Sequence, residues 1–165
     1  MRTGIATSLA VCAALTFTTA NTTASWAQQP VHYGPSVTLD MAKKAVDAAE
    51  AEAKKNGWSM AIVAVSIGGY LIHASTMDQT QFASIGIAQH KARAAAMFRR
   101  PTKVFEDRVA SGGAGIAALS LDGVIASEGG IPIMKDGKVI GALGCSGGTG
   151  AQDGQACKAG VDVIK

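Results

Sequence analysis

The sequence predicts an α/β chain of the α+β kind, a central antiparallel sheet with helices packed on it. Three observations carry that prediction. The elements run helix, two strands, two helices, several strands, helix, an order that suits such a layered sheet. Asp136-Gly137 lies between the runs Ile131 to Lys135 and Lys138 to Cys145, and is a two-residue loop of the kind that closes a β-hairpin. Thr149 with Gln152 three residues on forms a capping box, so the last helix starts there.

The elements follow in order. Gln28 to Ser36, with Pro30 and Pro35, reads as an extended lead-in. Thr38 caps a helix from Leu39 to Asn56, where Ala42, Val46, Ala49 and Ala53 recur at helical spacing and Asn56-Gly57 supplies the stop. The first strand, Met60 to Ser66, is apolar on both faces, which makes it central or covered by another subunit. Gly68-Gly69 turns it into a second strand, Tyr70 to Thr76. A second helix, Phe82 to Phe98, is closed by Arg99-Arg100-Pro101, and Lys103 to Val109 makes a short third one. Ser111 to Gly115 is read as a flexible connection, a lid or an oligomer contact. Strand segments are expected near Ile116 to Leu121 and Val124 to Ser127, before the hairpin and a last helix from Ala151 to Ile164. No internal repeats, heptads or low-complexity tracts occur.

The first 27 residues are set aside as a signal peptide. Met1-Arg2 opens a stretch from Gly4 to Thr19 without charge, shorter than the ~20 residues a membrane span needs. Ser25-Trp26-Ala27 offers small residues where a signal peptidase cuts, so cleavage is expected after Ala27. Val11 stands before Cys12, where a lipoprotein signal wants a small residue. Export to the periplasm or the medium is therefore expected, with residues 28–36 as the lead-in and 37–165 as one domain.

The formal charge of +3 falls by one when Arg2 leaves, too little to call for nucleic acid or an anionic membrane. Cys145 and Cys157 remain, and an even count in an oxidising compartment invites a disulfide. Helical rise of ~1.5 Å per residue places Cys157 roughly 10 Å along its helix. A disulfide needs Cα atoms within about 7 Å, so two buried small hydrophobes are preferred.

There is no HExxH, no Cys-x-x-Cys, no nucleophile elbow and no phosphate-loop lysine motif. Ser146-Gly147-Gly148 is superficially like a catalytic serine loop, but no motif places a His–Asp pair beside it. The corner Gly147, Gly148 and Thr149 instead exposes backbone N–H groups at a helix start, where a carboxylate can be received. Gln152-Asp153 lies in that first turn, where the helix dipole stabilises an acid without any function.

Several stretches together resemble one family. These are Gly129-Gly130-Ile131-Pro132, Gly144 to Thr149 with Gln152-Asp153, Val37-Thr38-Leu39, Gly68-Gly69 with Met77-Asp78, and Ala83-Ser84-Ile85 through Lys91-Ala92 with Arg100-Pro101-Thr102. These five motifs, taken in their order along the chain, resemble the GlcG/HbpS family of heme-binding or heme-degrading proteins, over residues 37–165. The resemblance implies a profilin-like or roadblock-like sheet, assembly into homo-oligomers up to octamers, and heme as the cofactor. The glycine-rich final strand (Gly141, Ala142, Gly144) and the doubly apolar first strand fit such assembly, and fit packing within one chain equally well.

Heme needs an apolar slot, an axial ligand and a cationic or amide-rich edge for its propionates. His32, beside Tyr33 in the lead-in, is the favoured iron ligand, since in some relatives the ligand comes from this region. His90 on the second helix lies near Gly86, Ala83 and Ala94, a shallow face that admits a flat ligand. His73 shares a strand face with Leu71 and Ser75, an environment more typical of a core histidine. Lys91 matches the family pattern and, with Gly147, Gly148 and Thr149, is the expected propionate contact. Two departures, Ser66-Ile67 before the Gly-Gly turn and Thr76 before Met77-Asp78, remove an acid and a base that many relatives carry, which weakens a catalytic role.

The leading expectation is an exported oligomer that binds heme or a related planar tetrapyrrole, more a binding protein than a conventional enzyme. The alternative is an enzyme or accessory protein for a small hydroxy- or keto-acid, using Lys91, Asp78 and Gly147 as its anion site. A purely structural oligomer is the third possibility.

Overall fold

The computed structural model describes residues 31–164, so the expected signal peptide and the first residues of the lead-in lie outside the described residues. Helix α1, Leu39–Lys55, starts where Thr38 accepts a hydrogen bond from the Met41 amide at 3.3 Å. Asp40 in its first turn and Lys54 and Lys55 in its last complement the helix dipole. It buries Ala42, Ala45, Val46, Ala49 and Ala53, the stripe the spacing predicts.

Strands β1 (Ala61–Val65) and β2 (Leu71–Thr76) pair antiparallel, followed by helices α2 (Ser84–Phe98) and α3 (Lys103–Ala110). A 3₁₀ segment occupies Gly113–Ser120. Strands β3 (Gly130–Lys135) and β4 (Lys138–Ser146) form the hairpin, and helix α4 spans Gly150–Asp162. Asp136 and Gly137 both take positive φ, 50° and 70°, as the tight hairpin turn requires. The sheet order is β2-β1-β4-β3, antiparallel throughout, which confirms the α+β architecture.

The chain itself covers both faces of this sheet. On one side Ile62, Ala64, Leu143 and Cys145 pack with the alanine stripe of α1 and with Ala156 and Cys157 of α4. On the other, Ala61, Val63, Val65 and Ala142 meet Ala88, Ala92, Ala95 and Ala96 of α2. The doubly apolar β1 is therefore a central strand between two helical layers. So many alanines on α2 let its backbone lie close to the sheet. Gly144 completes the approach, because a Cβ there would run into the carbonyl of Ala88 and the amide of Ala92.

Two sequence expectations need correcting here. The strand segments expected at Ile116 to Leu121 and Val124 to Ser127 are absent. The first is the 3₁₀ segment and the second has no regular structure. The sheet completes itself with four strands, and Gly112 and Gly113 enter the segment at φ 68° and 53°, values foreign to a strand.

The lead-in is also anchored at its described end. The first half of β4 extends past β1, which pairs only with residues from Ala142 to Ser146. The lead-in takes the place left open: the Val139 amide donates to the His32 carbonyl and Gly34 returns a bond to Val139, both at 2.9 Å. The Tyr33 hydroxyl donates to the carbonyls of Ala96 and Met97 at 3.1 and 2.9 Å, and Arg99 stacks over its ring at 5.3 Å.

Candidate functional site

The closing corner is built by the capping box. Thr149 and Gln152 bond each other reciprocally, with the Thr149 amide donating to Gln152 Oε1 at 2.9 Å. Asp153, one residue further, turns inward. Its carboxylate accepts from the Gly148 amide at 3.0 Å and pairs with Lys91 Nζ at 2.8 Å. Lys91 also donates to the Cys145 carbonyl at 3.3 Å, and both side chains of the pair are almost fully buried. Burial pushes the Asp153 carboxyl above its usual range, against the lowering pull of Lys91 and the Gly148 amide. Thus the anion that this corner holds is the chain's own. Lys91 faces a resident carboxylate rather than a ligand's, and the Gly148 and Gly147 amides are turned to the same carboxylate, while Thr149 spends its side chain on the cap.

Many of the motif residues pack around this pair. A Cβ on Gly129 would stand 2.7 Å from the Cys145 carbonyl, 2.8 Å from Asp153 Cβ and 3.0 Å from Lys91 Nζ. Gly130 lies against the Lys91 carbonyl and donates to Thr102 Oγ1 at 2.9 Å, while its own carbonyl accepts from the Thr102 amide at 2.9 Å. The motif glycines are required by close approach to a buried ion pair.

Glu128 and Glu106 sit just outside it. Glu106 accepts from the Glu128 amide at 2.7 Å, and the Glu128 carboxylate presses on Gly154 of α4. Desolvation, then repulsion from Glu106, raises the Glu128 pKa. A carboxyl whose folded pKa is raised favours the folded state at acid pH and loses that advantage as pH rises through the raised value. Glu128→Gln is therefore expected to raise Tm at pH 7 and leave it nearly unchanged near pH 4, below the ordinary glutamate value of about 4.3. Calorimetry at the two pH values checks this, and an equal shift at both would refute it.

The cysteines correct a further expectation. Cys145 and Cys157 form a disulfide, with Cα atoms 5.7 Å apart. The rise along the helix axis was the wrong measure of their separation. The turn at 147–149 carries the chain beyond the end of β4, and α4 then runs back over the strand. Its second turn therefore lands on Cys145.

The three histidines are not brought together. His32 is exposed, with its backbone pinned to the start of β4. His73 is half-buried opposite Ala64, a residue of the α1 side of the sheet. A register shift between Ala64 and Val65 places Leu71 opposite Val65, whose side belongs to α2. His73 thus shares its face with Ser75, which donates to Glu50 of α1 at 2.6 Å, and not with Leu71 as strict alternation suggested. Asp78 is exposed in the turn after β2.

His90 lies on the outer side of α2 in an open cleft of about 450 Å³. Gly86, Gln89, His90, Arg93 and Met97 line it along the helix, with Asp122 and Gly123 forming the side wall. A side-chain atom added at Gly86 would meet nothing within 4 Å, so the floor beside His90 is open. Arg93 is positioned by the Gly68-Gly69 turn, since a Cβ on Gly69 would stand 2.7 Å from Arg93 Cγ. The cleft thus brings together an imidazole, a guanidinium one turn away, a thioether and an amide. Arg93 and Met97 escaped the sequence reading, although both stand at helical spacing from His90, three and seven residues on. Among the described residues, no group of three or more His, Cys, Asp or Glu gathers to hold a metal ion, and no helix is long and apolar enough to cross a membrane.

Fold and cleft define a small α+β domain whose middle helix carries a ligand-sized cleft on its outer side. The chain belongs to the HbpS-like family, described as haem degrading proteins, whose model matches residues 37–162. Protein GlcG of Escherichia coli K12 is 42% identical over 110 residues, which cover 67% of this chain and 81% of GlcG. A 15.0 kDa protein from the dhaT-dhaS intergenic region of Citrobacter freundii is 33% identical over 131 residues, 78% of this chain and 92% of its own. Among solved structures, Klebsiella pneumoniae protein ORFY superposes with a TM-score of 0.75 at 25% identity, over 82% of this chain and 95% of its own. The crystal structure of HbpS gives 0.73 at 26%, over 82% and 94%. That of the PduOC:heme complex gives 0.70 at 23%, over 79% and 96%, and shares the fold.

Proposed function

We propose that this protein binds heme, or a related planar tetrapyrrole, in the α2 cleft, and that it does so as an exported homo-oligomer. The observation that carries the reading is the pairing of His90 with Arg93 across one helical turn, over the open floor at Gly86. The cleft volume lies within the range of small-molecule sites. An imidazole is a heme-iron ligand, and a guanidinium is the preferred partner of a propionate. His90 is accordingly the iron ligand, with His32 in reserve. Arg93 takes the propionate role expected of Lys91, whose ammonium already faces Asp153. Heme, when bound, supplies the iron that His90 would ligate, and the protein's part is to seat and orient it. The family description and the heme carried by the PduOC relative support the ligand class. The Cys145–Cys157 disulfide suits the oxidising compartment that an exported chain enters.

Titrating the purified mature protein with hemin tests this. A saturable Soret shift is expected, weakened by at least tenfold in His90→Ala and about tenfold in Arg93→Ala, the worth of one charge-assisted hydrogen bond. A response that never saturates removes the reading. His32→Ala, run in parallel, decides whether the lead-in contributes. The polar lining of Gln89, Arg93 and Asp122 also favours a second reading, a small hydroxy- or keto-acid held through its carboxylate by Arg93. Retention of such an acid in native mass spectrometry, without affinity for hemin, would select it.

A further inference from the structure

The 3₁₀ segment is held in an unusual way. At eight residues it is longer than the three or four that 3₁₀ geometry ordinarily sustains. It packs on α3, and its hydrogen bonds stay local, from the Gly112 amide to the Val109 carbonyl and from the Leu121 amide to the Ala118 carbonyl. Beside it, against Arg108 of α3, lies an open groove of about 430 Å³ lined by Gly115, Ala118 and Leu121. Gly112, Gly113 and Gly123 bracket it at φ 68°, 53° and 79°, and none has a neighbouring atom within reach of an added Cβ. Ile116, Leu119 and Leu121 are 53%, 57% and 44% exposed. Single exposed leucines are ordinary, but three large apolar side chains within six residues on a glycine-bracketed segment make a patch. The segment ends at Asp122 and Gly123, which are the side wall of the α2 cleft.

We propose that residues 112–123 are a strap that swings about its terminal glycines and closes over the α2 cleft. Leu119 and Leu121 then become the apolar ceiling of the bound ligand. This rests on the heme-binding reading and deepens it. A cleft with His90 and Arg93 on its floor and leucines above selects a ligand with a flat apolar face and an anionic edge. A small polar acid offers nothing for the leucines to cover. The segment is held by the close approach of Gly115 to the Arg108 carbonyl and by the buried Ala118, and its hydrogen bonds are local, so few contacts break when it moves.

Hydrogen exchange followed by mass spectrometry, on the mature protein with and without saturating hemin, reads the closure directly. Amides in residues 112–124 are expected to exchange at least tenfold more slowly with hemin present. Leu119→Ser with Leu121→Ser alters only exposed positions, so folding is retained, and hemin release is expected to quicken about tenfold or more. Saturable hemin binding with unchanged exchange in the segment, or with unchanged release in the double variant, overturns the strap and leaves the heme reading standing. Hemin binding that never saturates overturns both.

Discussion

Asp153→Asn is expected to cost about 3–5 kcal/mol of folding stability, the usual penalty for leaving a buried charge without its partner. The Lys91 side chain is 2% exposed and would lose the carboxylate it pairs with. Asparagine keeps an acceptor for the Gly148 amide and nearly the same volume, so the loss isolates the charge. For a domain of this size the drop in Tm is roughly 6–20 °C. The complementary change, Lys91→Met, carries a pH signature. Asp153 would keep its burial and lose the ammonium that opposes it, so its pKa should rise further. Its folded form then prefers the proton, and stability should be greatest at acid pH and decline as pH rises through the raised value. Urea denaturation of both variants at pH 5 and pH 8 makes the test. An Asp153→Asn midpoint equal to that of the wild type would show that the pair does not hold the fold.

The second large effect attaches to the disulfide. Cys145 and Cys157 are separated by 12 residues, and closing a loop of about that length in the unfolded chain is worth roughly 3 kcal/mol. Cys157→Ala should therefore lower Tm by roughly 6–12 °C. Both cysteines are fully buried, so reductant should act on the native protein only as fast as it opens. A Tm unmoved by the substitution would mean that the bond adds nothing to packing already in place. The two predictions are also coupled. The Cys145 carbonyl accepts from Lys91, so the double variant Asp153→Asn with Cys157→Ala should depart from additivity.

Much of the fold was legible because local chemistry and tertiary structure agreed. Thr38, Thr149 and Asp136-Gly137 act at their positions through their own side chains or dihedral freedom, and the boundaries they predict fall within a residue or two. The misses arise where the deciding contact is remote. A short apolar run such as Ile116 to Leu121 reads as strand or helical turn with equal ease until one sees whether a partner strand exists. The disulfide was missed because reach along a helix ignores the chain reversal before it. Lys91 is the instructive case. Ser84, Ala88, Lys91, Ala92 and Ala95 form one buried stripe on α2, so the spacing already placed this lysine inward, and only the habit of regarding lysines as surface charges hid it. His90 lies beside that stripe on the exposed side, which made the cleft partly legible. Its wall at Asp122 was not, because it arrives from a segment distant in sequence.

The seam between the lead-in and β4 limits how far the amino end can be trimmed. Val139 gives its amide to His32 and takes one from Gly34, and Arg99 reaches Val31 at 2.6 Å. A protease or a cloning boundary that removed residues through Tyr33 would leave an unpaired stretch of strand beside the C-terminal turn of α2. Such an edge invites pairing with another chain. Whatever maturation this polypeptide undergoes must stop upstream of Val31 if it is to remain free of adhesive edges.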